Sequence, residues 1–240
     1  MTTISLGHLR NALHAGCASA VARVLDAHEV EVEFVDADAD EVTGLLEEGA
    51  IDLLVSAWLP RDAELLQHGM RVLGTLYRPV YGWASFDALP PLAEISAADG
   101  LETVIVGRSD AAQAQSLLAD LPGISGLAQT VCDDDALYET VQTARSVGKR
   151  ALVFLAQPHA LFNDDAFQAV IDPRLSEEME ASLLVREAVA ACADQDMLDE
   201  LSEMTLGNKV MSALDYAIQV DGMDPEEAAE AWQRGRLVSR

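Results

Sequence analysis

At 240 residues, half of them apolar, the chain can form one large domain or two lobes that each bury a core. Its 41 acidic and 15 basic residues give a formal net charge of −26, which leaves no basic footprint for nucleic acid and would be repelled by an anionic membrane surface. A disordered tail is excluded by the apolar content, and three distant cysteines (Cys17, Cys132 and Cys192) give neither a disulfide framework nor a zinc or redox spacing.

The first stretch alternates short apolar runs with helical patterns. Residues 4–7 read as a strand, 11–27 as a helix with Leu13, Cys17, Val21, Val24 and Leu25 on one face, and 30–35 as a second strand. A short helix over 40–49, closed by Gly49, leads into an apolar strand at 51–56. This β-α-β-α-β order predicts a parallel sheet covered by helices. Around 78–91, Pro79, Gly82, Pro90 and Pro91 break the pattern and predict irregular structure. A second series follows: strand 101–106, a helix to about residue 118, strand 128–131, helix 133–147 and strand 150–155. Helices are then expected over 176–192, 195–203, 207–219 and 224–234, the last opened by the Asp224-Pro225-Glu226-Glu227 cap. No run approaches the 18 apolar residues of a membrane span.

Only Lys149 and Lys209 are lysines, against thirteen arginines. A carboxylate-rich, lysine-poor surface suits high ionic strength and reads as salt-adapted, halophile-like; an acidic protein from a GC-rich genome is the alternative. Residues 1–6 lack a basic stretch followed by a long apolar run. The expectation is therefore a periplasmic or other extracytoplasmic protein whose export signal has been removed, or otherwise a cytoplasmic one.

Several catalytic signatures are missing: no glycine-rich dinucleotide or phosphate loop, no nucleophile elbow and no His-x-x-x-His pair. Asp36, Asp38, Asp40 and Glu47 mimic calcium-loop spacing, but Glu41 stands where the turn needs glycine, so an acidic loop entering a helix is the better account. The Ser56-Ala57-Trp58-Leu59-Pro60 segment places an indole at the carboxyl end of a strand, where α/β sheets bind ligands. Tyr77, Tyr81 and Trp83 crowd the irregular segment. Gln157-Pro158-His159 occupies the matching position after the last strand of the second series, with His159 either a ligand contact or a hydrogen-bonding spacer.

Three blocks carry a resemblance. Gly49-Ala50-Ile51-Asp52 with Ala57-Trp58-Leu59-Pro60, Pro158-His159-Ala160-Leu161-Phe162 with Ile171-Asp172-Pro173-Arg174, and Val220-Asp221-Gly222-Met223-Asp224-Pro225-Glu226-Glu227-Ala228-Ala229 with Trp232 are similar to segments of glycine betaine/proline betaine-type substrate-binding proteins of ABC transporters. They keep that family's order and span most of the chain. The resemblance implies a type II periplasmic-binding-protein fold, with one lobe at 1–98 plus 200–240, the other at 99–199, and a ligand cleft between them. It also implies a non-catalytic protein without metal or cofactor, which binds a small quaternary amine or zwitterion and feeds an ABC permease. In the family, indole rings surround the ammonium and donors on the other lobe hold the carboxylate. Trp58 carries over directly, and Trp83 and Tyr81 are further aromatic candidates. His8, Arg10 and His159 are candidate polar contacts, and the 107–110 turn with Ser109 is a candidate carboxylate holder. Ala160 stands where the family has a tryptophan, so the cage is incomplete. A cytoplasmic ligand sensor on the same fold and an enzyme on a two-lobe α/β scaffold are the alternatives.

Overall fold

The computed structural model describes residues 3–175 and 178–237; the first two residues of the chain, and of the helix expected at 176–192, lie outside them. Among the described residues, 3–79 and 178–237 form one compact unit and 80–175 the other.

The first unit opens with β1 (Thr3–Leu9), α1 (Ala12–Ala27), β2 (Glu31–Ala37), α2 (Val42–Glu48), β3 (Leu53–Leu59) and β4 (Met70–Tyr77). The chain then builds the second unit from β5 (Val80–Ser85), β6 (Thr103–Gly107), α3 (Ala111–Ala119), β7 (Ala128–Cys132), α4 (Leu137–Ser146), β8 (Ala151–Gln157) and β9 (Gln168–Val170). It returns to the first unit with β10 (Glu180–Arg186), α5 (Glu187–Ala190), α6 (Gln195–Glu203), α7 (Asn208–Gln219) and α8 (Pro225–Gln233). Strand order is β2-β1-β3-β10-β4 in one sheet and β7-β6-β8-β5-β9 in the other. β1 runs parallel to β2 and β3, and β6 runs parallel to β7 and β8. β10 is antiparallel to β3 and β4, as β5 is to β8 and β9. Each sheet thus receives, as its fourth strand, the first one made after the chain crosses over.

The unit boundaries therefore fall at Pro79 and near Glu178, whereas the sequence placed them at 98/99 and 199/200. The shift comes from the crossing strands: β5 finds its hydrogen bonds on β8 and β9, and β10 on β3 and β4. The expected irregular segment at 78–91 contains β5, and the expected helix at 176–192 is the strand β10 followed by the single turn α5. Residues 180–186 contain good helix formers, but Ala181 through Val185 are buried on both faces, and the open ladder positions between β3 and β4 override propensity.

Burial follows the parallel pattern. In β6 and β8, Val104, Val106, Leu152 and Phe154 turn to one face and Ile105, Val153 and Leu155 to the other, and both sets join apolar clusters. In the first unit α1 buries Cys17, Ala18, Ala20, Val21 and Leu25, while α2 closes over Leu54, Ala57 and Leu184. β4 passes α6 so closely that a Cβ on Gly74 would lie 2.5 Å from the Ser202 carbonyl oxygen. α8 begins as expected, with Asp224 accepting the Glu226 backbone N–H and Pro225 in the first turn. Among the described residues no helix is long and apolar enough to cross a membrane.

Candidate functional site

The carboxyl ends of β1 and β3 and the start of α1 bring a polar cluster together in the first unit. β3 carries Ser56 in the left-handed region, at φ 63°, where a side chain is strained and persists only under firm surroundings. Those surroundings are hydrogen bonds. Ser56 Oγ is bonded to Tyr77 Oη, and Trp58 Nε1 donates to Ser56 Oγ at 3.2 Å and to Tyr77 Oη at 3.0 Å. Burial pushes the Tyr77 phenol above its ordinary range, so it stays protonated, and the indole is fixed in direction with 6% of Trp58 exposed.

The following turn folds back on the same ring. Trp58 N–H donates to Asp62 Oδ2 at 2.7 Å, and Asp62 N–H returns to the Trp58 carbonyl at 2.9 Å. The Asp62 carboxylate also receives the Arg61 fork, Nε at 2.8 Å and Nη2 at 3.1 Å. Held this way, the guanidinium carbon of Arg61 lies 4.7 Å from the Trp58 ring centroid, within cation–π range.

Asn11 caps α1, and its Oδ1 accepts both the His14 backbone N–H at 2.9 Å and His14 Nδ1 at 2.7 Å. His14 Nδ1 is therefore the donor, which leaves Nε2 as an unprotonated, buried atom without a partner. Burial first, then the nearby charges of His8 and Arg61, push His14 down to about 4, so the imidazole is neutral at pH 7. Its ring stacks against the Trp58 indole, with centroids 6.4 Å apart. His8, the penultimate residue of β1, is buried, has Nδ1 2.9 Å from the Leu9 carbonyl oxygen, and meets Phe34 edge to face.

In sequence terms the family description of the substrate binding domain of ABC-type glycine betaine transport systems, OpuAC, matches residues 3–234. The chain belongs to that family. As an OpuAC member it is a solute-binding protein of the ABC-importer class, with the two-lobed α/β fold of type II binding proteins. A search of curated proteins returned no match. Among solved structures, lactococcal OpuAC closed on glycine betaine aligns at 18% identity and a TM-score of 0.75, covering 98% of this chain and 96% of that one. The glycine betaine/L-proline-binding protein of Borrelia burgdorferi aligns at 15% identity and a TM-score of 0.71, covering 96% and 92%. An ABC-transporter choline-binding protein in complex with choline aligns at 15% identity and a TM-score of 0.67, covering 97% and 88%.

Against this OpuAC background the sequence candidates separate. Trp58 and His8 stand in the first unit's cluster. Arg10 is bound elsewhere: its guanidinium meets Asp36 at 2.8 Å, Asp38 at 3.2 Å and Glu41 at 3.8 Å, so it neutralises the acidic loop instead of presenting a free cation. The Arg10 hydrogen bond and charge hold the Asp36 carboxyl below the ordinary range. The calcium-like spacing thus has a side-chain cation inside it, and among the described residues no cluster of His, Cys, Asp and Glu could hold a metal.

In the second unit, Trp83 is a core residue. It is fully buried, packs on Phe154 at 4.7 Å and donates from Nε1 to Asp172 Oδ2 at 3.1 Å, which corrects its assignment as a ligand-facing ring. The Asp172-Pro173-Arg174 block accounts for this packing: Arg174 grips both Asp172 oxygens at 2.9 Å. Burial pushes the Asp172 carboxyl up, yet the Arg174 hydrogen bonds and charge outweigh it and hold the group below its ordinary range. Tyr81 is half-buried and stacks on Phe154 at 5.9 Å. Ser109 does not offer an empty anion cradle, because its N–H and Oγ both donate to Asp134 Oδ1, at 3.2 and 3.1 Å. A Cβ on Gly107 would displace that same Asp134 oxygen. His159 caps the 3₁₀ turn at Ala160–Asn163 by accepting the Leu161 N–H on Nδ1, which puts its proton on Nε2; burial lowers its pKa to about 4. Ala160 is itself buried, at 1% exposure.

Sequence reasoning missed Arg61, Asp62 and His14. A signal existed for two of them: an acid four residues after the tryptophan can close a turn on its N–H and hold the intervening arginine over the ring. Nothing local marked His14, whose role depends on β3 lying alongside.

Proposed function

We propose that the chain captures a small osmolyte-like solute, glycine betaine or a related quaternary amine or zwitterion, and delivers it to the permease of an ABC importer. The observation that carries this reading is Trp58, an indole fixed at the carboxyl end of β3 with a cation already resting on its ring. A trimethylammonium has no proton to donate, and an aromatic face is its natural partner. Family membership supports the importer, and the neighbours holding glycine betaine and choline support the ligand class. Trp58 and His8 are the leading contacts in this reading, with Tyr81 and His159 of the second unit retained as candidates.

The protein is read as non-catalytic and extracytoplasmic, and the acidic, lysine-poor surface as salt adaptation, for which a Tm rising with NaCl is the expected result. The test of the ligand is a thermal-shift screen with glycine betaine, proline betaine, carnitine and choline. At a hundredfold excess over Kd a true ligand stabilises by about 2.7 kcal/mol, a clear rise in Tm. Absence of a shift with all four compounds refutes the assignment.

A further inference from the structure

On the first unit a trough runs beside α1, between that helix and β2. It consists of two cavities, of about 420 and 500 Å³, that share Ser19, Phe34 and Glu226 and together follow α1 from Asn11 to Asp26. Each has the size of a ligand pocket. The lining is aliphatic along much of its length, with Ala12 and Ala15 at one end and Ala22 and Val32 at the other, and the Trp58 ring takes no part in it.

Two deeply buried polar residues line this trough. Ser19 is 3% exposed, and its hydroxyl has no hydrogen-bond partner among the described residues, not even the carbonyl one turn back that a helical serine often uses. His8 is 8% exposed; its Nδ1 is spent on the Leu9 carbonyl oxygen, and Nε2 has no partner among the described residues. Buried polar atoms are nearly always paired, so two unpaired ones on the same cavity point to an occupant that brings its own donors.

The surrounding charge sets the sign of that occupant. Glu226 stands on the wall common to both cavities, and Asp26 and Glu29 at the far end. Among the described residues none of these three carboxylates has a hydrogen bond or an ion pair. The two cations on the walls are engaged already, Arg10 by Asp36, Asp38 and Glu41, and Arg23 by Gln233 Oε1 at 3.0 Å. We propose that the trough is a second ligand site, which takes a linear aliphatic diamine or polyamine. One ammonium donates to Ser19 Oγ, His8 Nε2 and the Glu226 carboxylate, the methylenes lie along Ala22 and Val32, and another ammonium meets Asp26 and Glu29. The seven residues of helix from Ser19 to Asp26 rise about 10 Å, which sets the spacing of the two charges. A quaternary ammonium has no proton for these acceptors, so the trough and Trp58 select different cations.

His8 belongs to both this site and the osmolyte reading, so the test leaves it unaltered. Calorimetric titration at physiological ionic strength compares spermidine with butylammonium on the full chain and on four variants, with circular dichroism checking each fold. Ala15→Leu and Ala22→Leu fill the trough without changing charge, and either serves if the other fails to fold. Glu226→Gln removes the shared carboxylate, and Glu139→Gln removes an exposed carboxylate of the second unit as a control. The expected result is one spermidine per chain, bound more tightly than butylammonium, with affinity lowered about tenfold or more by the filling variants and by Glu226→Gln. Glu139→Gln should stay within about twofold of the parent. Filling variants that bind like the parent, or a Glu139→Gln loss equal to that of Glu226→Gln, would reduce the effect to diffuse attraction by an acidic surface and overturn the site. A parent that binds no spermidine overturns it too, and none of these results touches the osmolyte reading.

Discussion

In the first unit the buried indole of Trp58 donates to two hydroxyls and carries a guanidinium on its face; in the second, the buried indole of Trp83 donates to a carboxylate and lies against Phe154. The scaffolds around them are alike. Both sheets follow one strand order, and β3 and β8, the third parallel strands, both run into a cis proline, Pro60 and Pro158. Both units also follow the first of their parallel strands with an arginine paired to an acid at or just past the end of the neighbouring strand, Arg10 with Asp36 and Arg108 with Asp133. The difference lies in how each unit uses its polar groups. The second unit sets Asp134 on Ser109 and Asp172 on Trp83 and leaves Asn163 Oδ1 buried without a partner, whereas the first leaves the His14 Nε2 in that state directly beside an indole with a cation over it. A tryptophan's role is thus decided by what its N–H and its faces meet.

The largest effect that can test this contrast is the loss of Trp83. Trp83→Ala should cost about 3–5 kcal/mol, since it opens a cavity against Phe154 and removes a partner of Asp172, and denaturant unfolding measures it directly. Trp83→Phe should keep ligand affinity within about twofold of the parent while lowering stability, and Trp58→Phe should show the reverse, losing affinity more than stability. A Trp83→Phe protein that folds but no longer binds its ligand would erase the distinction between the two indoles.

Acid sharpens the comparison next, because each unit contains one depressed histidine. His14 and His159 are lowered to about 4 in the folded chain, below the 6.5 of an unfolded histidine. Between those values the unfolded state binds more protons, so stability is full above pH 6.5 and falls as the pH drops toward 4. For buried His14 the loss is at most about 3 kcal/mol. Unfolding free energies measured from pH 7 down to 4 should show a shallower decline in His14→Gln and in His159→Gln, each relative to the parent. An unchanged slope in either variant would show that its histidine is not held neutral.

The smallest expected effect belongs to the matched surface pairs. Arg10→Ala and Arg108→Ala each remove an exposed ion pair, and both should melt with the parent in molar salt, where screening leaves such pairs little weight. A large drop confined to Arg10→Ala would mean that the acidic loop depends on its internal cation.

The parallel series were legible because parallel strands are buried on both faces and read as short apolar runs between helical patterns. The strands that join them antiparallel were not. β10 has the composition of a helix, β4 carries a glycine where it presses on α6, and β5 sits among prolines and a glycine that suggest a loop. Trp58 stood out because a proline follows a buried run. Ser109 misled because the carboxylate that fills its donors lies 25 residues away, and Trp83 misled because its partner Asp172 lies 89 residues away. Such pairings are made by tertiary contact, and no local pattern records them.

The crossing strands also set the order in which the molecule can be completed as it leaves the ribosome. Among the described residues β4 pairs only with β10, so the first sheet, though its opening strands are translated first, keeps a gap between β3 and β4 until about residue 186 has emerged. The second sheet needs nothing beyond β9, which ends at Val170. The later-starting unit is therefore the first able to close, and a nascent chain halted between β9 and β10 would carry one finished sheet and one with an exposed, unpaired seam, the kind of edge that invites pairing with another chain.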